Sequence, residues 1–519
     1  MKIDKTLFWN TLLGITIIEI CSLAAYHFHS PTLQIIGWGA VFLGTLVLSL
    51  WNIEYGVLIA FTELFIGSFG HLFQLPLGDS PIAIRIGIFF AIQIAYNTIL
   101  ITHFLRQWTG HPFFVRLHRF FQKGLHDSVI LTSFFRGPYF YPNVVLTVAL
   151  VLAALVGFTK HNAMTNIFHD ADAYVVFAYF PIVWAALRSQ KSRERIATIF
   201  TASLVWFLAQ TALVLFIFSH RLREPMQALY VWIRDARIGE ITIIAGDFYR
   251  IFFQSYIYAL IAVFIFASMI IFREKEPPTR RGALYFLAIS LFLLLVSFSR
   301  SFWFGGAIAT LALGGTLFFF KKSTRIWRGL LRCGGGFLIA IGLLFGIVNF
   351  PIPYKGPPIL LADLFAGRAS ALFGEAAAGS RWHLLPIMWN EIKKSPVLGS
   401  GFGHTLTYIT DDPRYRAEDA SGARTTYAFE WGYLDLWLKL GVVGLLAYGW
   451  LIARILRHGW MTVIKCQVSD VRCQVSYGLW LGMIALLAAH FFTPYLNHPL
   501  GIGALILAAA WFESPEIEV

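Results

Sequence analysis

Apolar residues along this chain gather into long unbroken runs separated by short polar stretches. They do not alternate as in a half-buried strand. Runs of about 17 to 25 apolar residues are long enough to cross a bilayer as helices. On that criterion the chain predicts about fourteen transmembrane helices, approximately at 8–26, 33–51, 54–73, 82–104, 143–158, 172–187, 196–218, 251–272, 282–298, 302–320, 333–350, 431–453, 477–493 and 499–512. The expected fold class is all-α: a polytopic integral membrane protein forming one domain over residues 1–519. The first run has no small-residue cleavage site before the next span and reads as a retained helix rather than a removable signal.

The polar stretches set the expected orientation. RSQKSRER (188–195), REKEPPTRR (273–281), KKSTRIWRGLLR (321–332), the segment 454–472 and the longer stretch 106–136 are all rich in Lys and Arg. With these spans all five fall on one side, which the positive-inside rule makes cytoplasmic. Two segments on the other face are long, about 219–250 and about 351–430, and the second is the one large extracytoplasmic loop. Within it SRWHLLPIMWNEIKK (380–394) reads as an amphipathic helix with Ser380 as N-cap and Pro396 beyond its end. Trp382, Leu385, Met388, Trp389 and Ile392 recur at helical spacing and predict a face laid on the bundle or the membrane surface.

Composition agrees. Hydrophobic residues make up 57% of the 519 and charged residues 13%, against roughly 25% charged in soluble domains. The net charge of +13 is explained by the cytoplasmic loops, and no nucleic-acid partner is expected. Of the four cysteines, Cys466 and Cys473 share the repeated tetrapeptide CQVS but have neither zinc-ligand spacing nor histidine partners. No strong internal repeat and no mid-helix ladder of ionisable residues argues for a transporter; Glu19, Glu63 and Arg85 are the main intramembrane candidates.

Candidate chemistry collects on the predicted outer face. Ser299-Arg300-Ser301 forms a tight turn between two spans. Asp247 and Arg250 precede the eighth span, Arg381 opens the amphipathic helix, and Glu430 stands at the mouth of the twelfth span. Arginine suits a phosphate: it is always charged, planar and able to give two parallel hydrogen bonds. Fixed guanidinium groups can stabilise a departing diphosphate without a metal. The pairs Asp411-Asp412 and Glu418-Asp419, interrupted by Arg414 and Arg416, read as a solvated loop rather than a metal site, and no cofactor is expected.

Three segments carry a resemblance. LLLVSFSRSFWFGGAIATLAL (293–313) is similar to an SRG-type turn, with Ser301 in place of the glycine. SRWHLLPIMWNEIKKSPVLGSGFG (380–403) gives an arginine, a tryptophan-bearing helix and then P-x-x-G-x-G. FEWGYLDLWLKLGVVG (429–444) is similar to a motif written roughly H-N-x-x-L, then an acid before G-x-x-G. Together they resemble the O-antigen ligase and polymerase superfamily, which includes the WaaL ligases, Wzy-type polymerases and PglL oligosaccharyltransferases, over about 282–512.

The resemblance implies a bacterial inner-membrane enzyme with an extracytoplasmic site. It would transfer a glycan from a polyprenyl-diphosphate carrier to a lipid or glycan acceptor, without metal and with inversion. Arg300 and Arg381 match family arginines and would grip the diphosphate; Arg250 is a looser match. Glu430 falls where the family has its histidine, and Lys439 where it has an acid. Glu430 is then either the base that takes the acceptor's proton, or a helix-start acid and ion-pair partner of Arg381. His404 and His498 are the alternative bases. A lipid-linked oligosaccharide flippase or exporter is the alternative class. A metal-dependent polytopic glycosyltransferase is disfavoured because the first outer loop, HFHSPT, contains no acid.

Overall fold

The computed structural model describes residues 3–76, 81–109, 133–245, 248–272, 277–317, 323–353, 376–410, 416, 421–466 and 470–513. Asp247, Asp411, Asp412, Arg414, Glu418 and Asp419 lie outside the described residues, as do 354–375 of the large loop.

Seventeen α-helices dominate the described chain. They are α1 (Lys5–His27), α2 (Pro31–Trp51), α3 (Ile53–Ile66), α4 (Ile84–Thr109), α5 (Phe140–Thr159), α6 (Met164–Asp172), α7 (Phe180–Ala186), α8 (Gln190–Ser219) and α9 (Arg223–Asp235). Then come α10 (Ile257–Phe272), α11 (Pro277–Ser297), α12 (Arg300–Leu317), α13 (Ser323–Val348), α14 (Ala376–Lys394), α15 (Gly432–Cys466), α16 (Val471–His490) and α17 (Pro499–Phe512). Helix starts carry the residues their chemistry asks for. Asp4 accepts from Thr6 N and Leu7 N ahead of α1, Ser30 precedes Pro31 at the start of α2, and Asn52 caps α3.

Nine helices among the described residues are long and apolar enough to span a membrane. They occupy nine of the predicted spans. The other predicted spans are filled by shorter or less apolar helices: α3, α7 with the 3-10 turn Ala173–Tyr179 ahead of it, α11, α12 and α17. The segment Gln254–Phe272 is the most buried of the nine. Around α10 pack α11, α13 and α16, and α16 comes in close because a Cβ at Gly478 would sit 2.3 Å from Ile265 Cα. By contrast α1 and α2 bury little of their surface.

The all-α expectation has small exceptions. Three two-stranded antiparallel hairpins occur, β1 (Gln74–Leu75) with β2 (Ile82–Ala83), β3 (Gly239–Ala245) with β4 (Phe248–Phe253), and β5 (Leu406–Ile409) with β6 (Ala423–Thr426). The predicted segment at 219–250 thus holds α9 and a hairpin, and the start of the predicted span 251–272 is strand. Cys466 and Cys473 are joined by a disulfide, a pairing their sequence context did not suggest. A lasting disulfide suits an oxidising compartment, whereas the positive-inside count makes this end cytosolic.

The amphipathic helix α14 begins at Ala376, one turn ahead of Ser380, so Ser380 lies inside it rather than at its cap. Its buried stripe is Leu384, Met388 and Ile392, packed with Leu406, Tyr408, Phe429, Trp431 and Leu438. Trp382 and Trp389 remain 60% and 42% exposed and flank that stripe, their rings edge-on to Trp431 and Trp437.

Beyond α14 the chain makes the decisive contact of the fold. Helix α15 breaks at Gly441, whose φ of 67° and ψ of −176° leave the helical region. A break in a membrane helix strands backbone groups that lipid cannot satisfy. The segment 396–401 satisfies them. Ser400 N donates to Leu438 O at 2.6 Å and Gly401 N to Lys439 O at 3.2 Å; Val442 N donates to Pro396 O at 2.9 Å and Val443 N to Val397 O at 3.3 Å.

The end of α5 holds the other side of the same segment. Phe402 N donates to Ala153 O at 3.0 Å. Asn162 Nδ2 reaches Ser400 O and Phe402 O, and Lys160 Nζ reaches Ser395 Oγ and Gly399 O. The P-x-x-G-x-G sequence is therefore a backbone plug, and its glycines leave room for it. Gly401 has φ 78°, and a Cβ there would lie 2.2 Å from Gly157 N.

Gly401→Ala should lower the apparent Tm of the detergent-purified protein, since left-handed strain alone costs about 1–3 kcal/mol. Gly342→Ala in α13, where a Cβ meets nothing within 4 Å, should not. Equal melting of the two variants, followed by thermal scanning, would remove the plug from this role.

Candidate functional site

Directly before the break, α15 carries a buried ionic knot. Lys439 Nζ lies 2.7 Å from Asp170 Oδ1 and 2.9 Å from Asp435 Oδ1, one turn earlier on the same helix. Asp170 belongs to α6, and its second oxygen accepts from Gly403 N at 2.7 Å. Asn497 Nδ2 donates to the other oxygen of Asp435. The rings of Phe429 and Tyr427 lie 5.3 and 6.0 Å from the ammonium. All three ionic side chains are less than one-tenth exposed. Ions removed from water need mutual pairing of this kind. It accounts for a lysine where the resemblance expects an acid: acids come from Asp435 and from Asp170, distant in sequence, and the lysine joins them.

Ten to twelve residues upstream of that break, the chain enters α15 through Phe429, Glu430 and Trp431. Here Arg381 of α14 donates from Nε to Glu430 Oε2. Both side chains are partly exposed, 39% and 51%, so the pair is open to a ligand. Trp431 Nε1 donates to Arg381 O at 2.9 Å, and the Trp382 ring lies edge-on to Trp431 at 5.3 Å. The sequence alternatives of base and ion-pair partner for Glu430 are thus compatible: the pair exists, and it borders solvent.

A second arginine group sits nearby, on the turn between α11 and α12. Arg250 of β4 donates from Nε to Ser297 O at 2.7 Å, and its Nη1 lies 3.6 Å from Glu240. Phe298 takes a left-handed φ of 43°, which ends α11 sharply, and Arg300 is the first residue of α12. A helix start favours anions, so the Arg300 guanidinium and the α12 dipole act in the same sense. Ser299 and Ser301 hydroxyls are hydrogen bonded at 3.0 Å.

The segment 491–493 bridges the two groups. Phe491 and Phe492 pack against Trp431 on one side. On the other, Phe492 meets Phe304 and Thr493 Oγ1 donates to Ser301 Oγ at 3.0 Å. Arg381 and Glu430 are brought into contact, and Arg250 of β4 is held against the turn that leads into Arg300, with a single short segment linking the two groups.

The alternative histidines lie elsewhere. His404 is 3.5 Å from Glu391, ten residues along α14 from Arg381, or roughly 15 Å of helix. Burial pushes its imidazole below the ordinary range, against the opposing pull of Glu391. His498 caps α17, its Nδ1 accepting from Leu500 N at 3.3 Å, with its ring against Phe69. His490, which sequence reasoning passed over as part of a span, packs against the start of α15. A Cβ on Gly432 would fall 2.5 Å from its ring, its Nδ1 accepts from Leu496 N at 3.1 Å, and its buried Nε2 has no hydrogen-bond partner among the described residues. Among the described residues no group of three His, Cys, Asp or Glu side chains is arranged to hold a metal ion.

The ionic knot generates a direct expectation. Lys439→Met leaves two carboxylates buried without their cation, and breaking a buried pair in this way costs about 3–5 kcal/mol. The variant should lose folded yield and thermal stability in detergent. Adding Asp170→Asn and Asp435→Asn to it should restore much of both. A single variant as stable as the parent would mean the knot is dispensable.

No protein-family model matches this chain and no curated protein matches it, so its resemblance to a known superfamily rests on the three sequence motifs alone.

Proposed function

We propose that the chain is a membrane glycan ligase or polymerase, metal-independent and inverting, with its site on the extracytoplasmic face of a bacterial inner membrane. The observation that supports this most is the open contact of Arg381 with Glu430, linked through 491–493 to the turn that starts α12 at Arg300, against which Arg250 of β4 packs. An arginine–carboxylate pair with further arginines on a linked element suits a reaction in which a diphosphate departs and a hydroxyl is deprotonated.

The donor is a glycan on a polyprenyl diphosphate. Arg381 and Arg300, supported by Arg250, bind the diphosphate oxygens and stabilise the charge that grows there. Glu430 takes the proton of an acceptor hydroxyl on a lipid or another glycan. The hydroxyl oxygen forms its bond to the anomeric carbon from the face opposite the carrier. The bond from that carbon to the diphosphate breaks, and its electron pair stays on the diphosphate oxygen. Attack from the far face inverts the anomeric centre. Closing α14 over the donor exchanges the Arg381–Glu430 contact for Arg381–phosphate, which frees the carboxylate for the acceptor.

A lipid-linked oligosaccharide flippase is the second reading, and the buried charges of Lys439, Asp170 and Asp435 are what favour it, since intramembrane ions often mark transport paths. Here they are tied to one another and to the backbone plug, which suits anchorage better than passage.

Reconstitution in proteoliposomes with a labelled polyprenyl-diphosphate oligosaccharide tests both readings. Glu430→Gln should reduce glycan transfer by about 10²–10⁴-fold while donor binding persists. Arg381→Lys should weaken donor binding, because a point charge cannot reproduce a two-pronged contact. Transfer at parental rates in both variants would discard the proposed chemistry, and carrier translocation without transfer would favour the flippase.

A further inference from the structure

The N-terminal helices line a partly open cavity of about 430 Å³, walled by α1, α2, α3 and α4 with Leu72, Phe73 and, from α8, Ile199. Its size falls within the ~300–1,000 Å³ typical of small-ligand sites. We infer that it binds one acyl chain of a bilayer phospholipid as a fixed ligand. This inference is independent of the proposed transfer reaction.

The lining is predominantly aliphatic, Leu48, Leu58 and Ile88 among it, with a few polar groups such as Asn10, Thr11 and Thr62. Water fills a cavity only where several polar partners hold it, and a dry void would forfeit dispersion contacts along its whole wall. Hydrocarbon is the remaining filler, and the bilayer is its adjacent source. Helices α1 and α2 bury little of their surface, and Leu13, Ile17, Ile36 and Leu43 are exposed on them. The cavity thus lies among peripheral helices and is partly open.

Its length commits the occupant. Lining residues run from Leu7 to Ile18 on α1 and from Tyr55 to Ile66 on α3. Each stretch advances eleven residues, roughly 16 Å, or about half of a ~30 Å hydrocarbon core. That is the depth of one leaflet, which fits a phospholipid acyl chain better than the longer polyprenyl tail of the proposed donor.

Native mass spectrometry of the full chain, extracted in mild detergent, tests the inference. The parent should carry one phospholipid adduct that survives delipidation of the micelle. Gly14 lines the cavity, and a Cβ there meets nothing within 4 Å, so Gly14→Phe should fill it and lower adduct occupancy about tenfold. Ile18→Trp, filling the same cavity, should do likewise. Gly44→Phe, equally unobstructed but on the exposed side of α2 and not part of the lining, should keep the adduct. A parent without adduct, or filled variants that retain it, would overturn the inference. So would an adduct with the mass of a polyprenyl phosphate, which would assign the cavity to the donor's tail.

Discussion

A helix that breaks within a membrane must find new partners for the amide and carbonyl groups it exposes, and the arrangement around the candidate site depends on how α15 meets that demand. The plug at 396–401 completes the backbone on both sides of Gly441 and is itself held by the end of α5. Fixing the plug fixes the C-terminal end of α14, which directly precedes it. It also fixes Gly403, whose amide orients Asp170. The ionic knot around Lys439 is assembled by the same contact. Backbone satisfaction, charge pairing and loop placement are one problem with one solution.

The site is built at the edge of this rigid unit. Helix α14 buries an aliphatic stripe and turns Arg381 toward Glu430, while Trp431 ties the α14 backbone to the start of α15. The second arginine group rests on the sharp α11–α12 turn. Aromatic packing by Phe491 and Phe492 connects the two. Charged groups facing a ligand are thus carried on helix ends and turns, and the apolar residues beneath set their spacing.

Hydropathy made much of this legible in advance. Long apolar runs needed no knowledge of their partners, so the positions of α1, α2, α4, α5 and α16 followed from the runs alone. The joining of Arg381 to Glu430 was foreseen as one of two alternatives, because both flank the same loop. What escaped the sequence depends on partners far along the chain. Lys439 is unintelligible without Asp170, 269 residues away. The P-x-x-G-x-G segment gives no hint that its target is a broken helix, and His490 looks like any residue ending a span until Gly432 is placed against it. Local signals also misled. Ser380 has the chemistry of a cap, yet the helix starts earlier, and the tryptophans of α14 have helical spacing but lie off its buried stripe.

The seating of α14 has a mechanical consequence. Its last residues run directly into a segment stitched on both flanks, whereas Arg381, fourteen residues before Ser395, sits roughly 21 Å up the helix. The element therefore behaves as a lever with a fixed foot. A few degrees of tilt would leave the plug undisturbed and carry the guanidinium through an ångström or more, at the cost of the hydrogen bond from Trp431 Nε1 to Arg381 O.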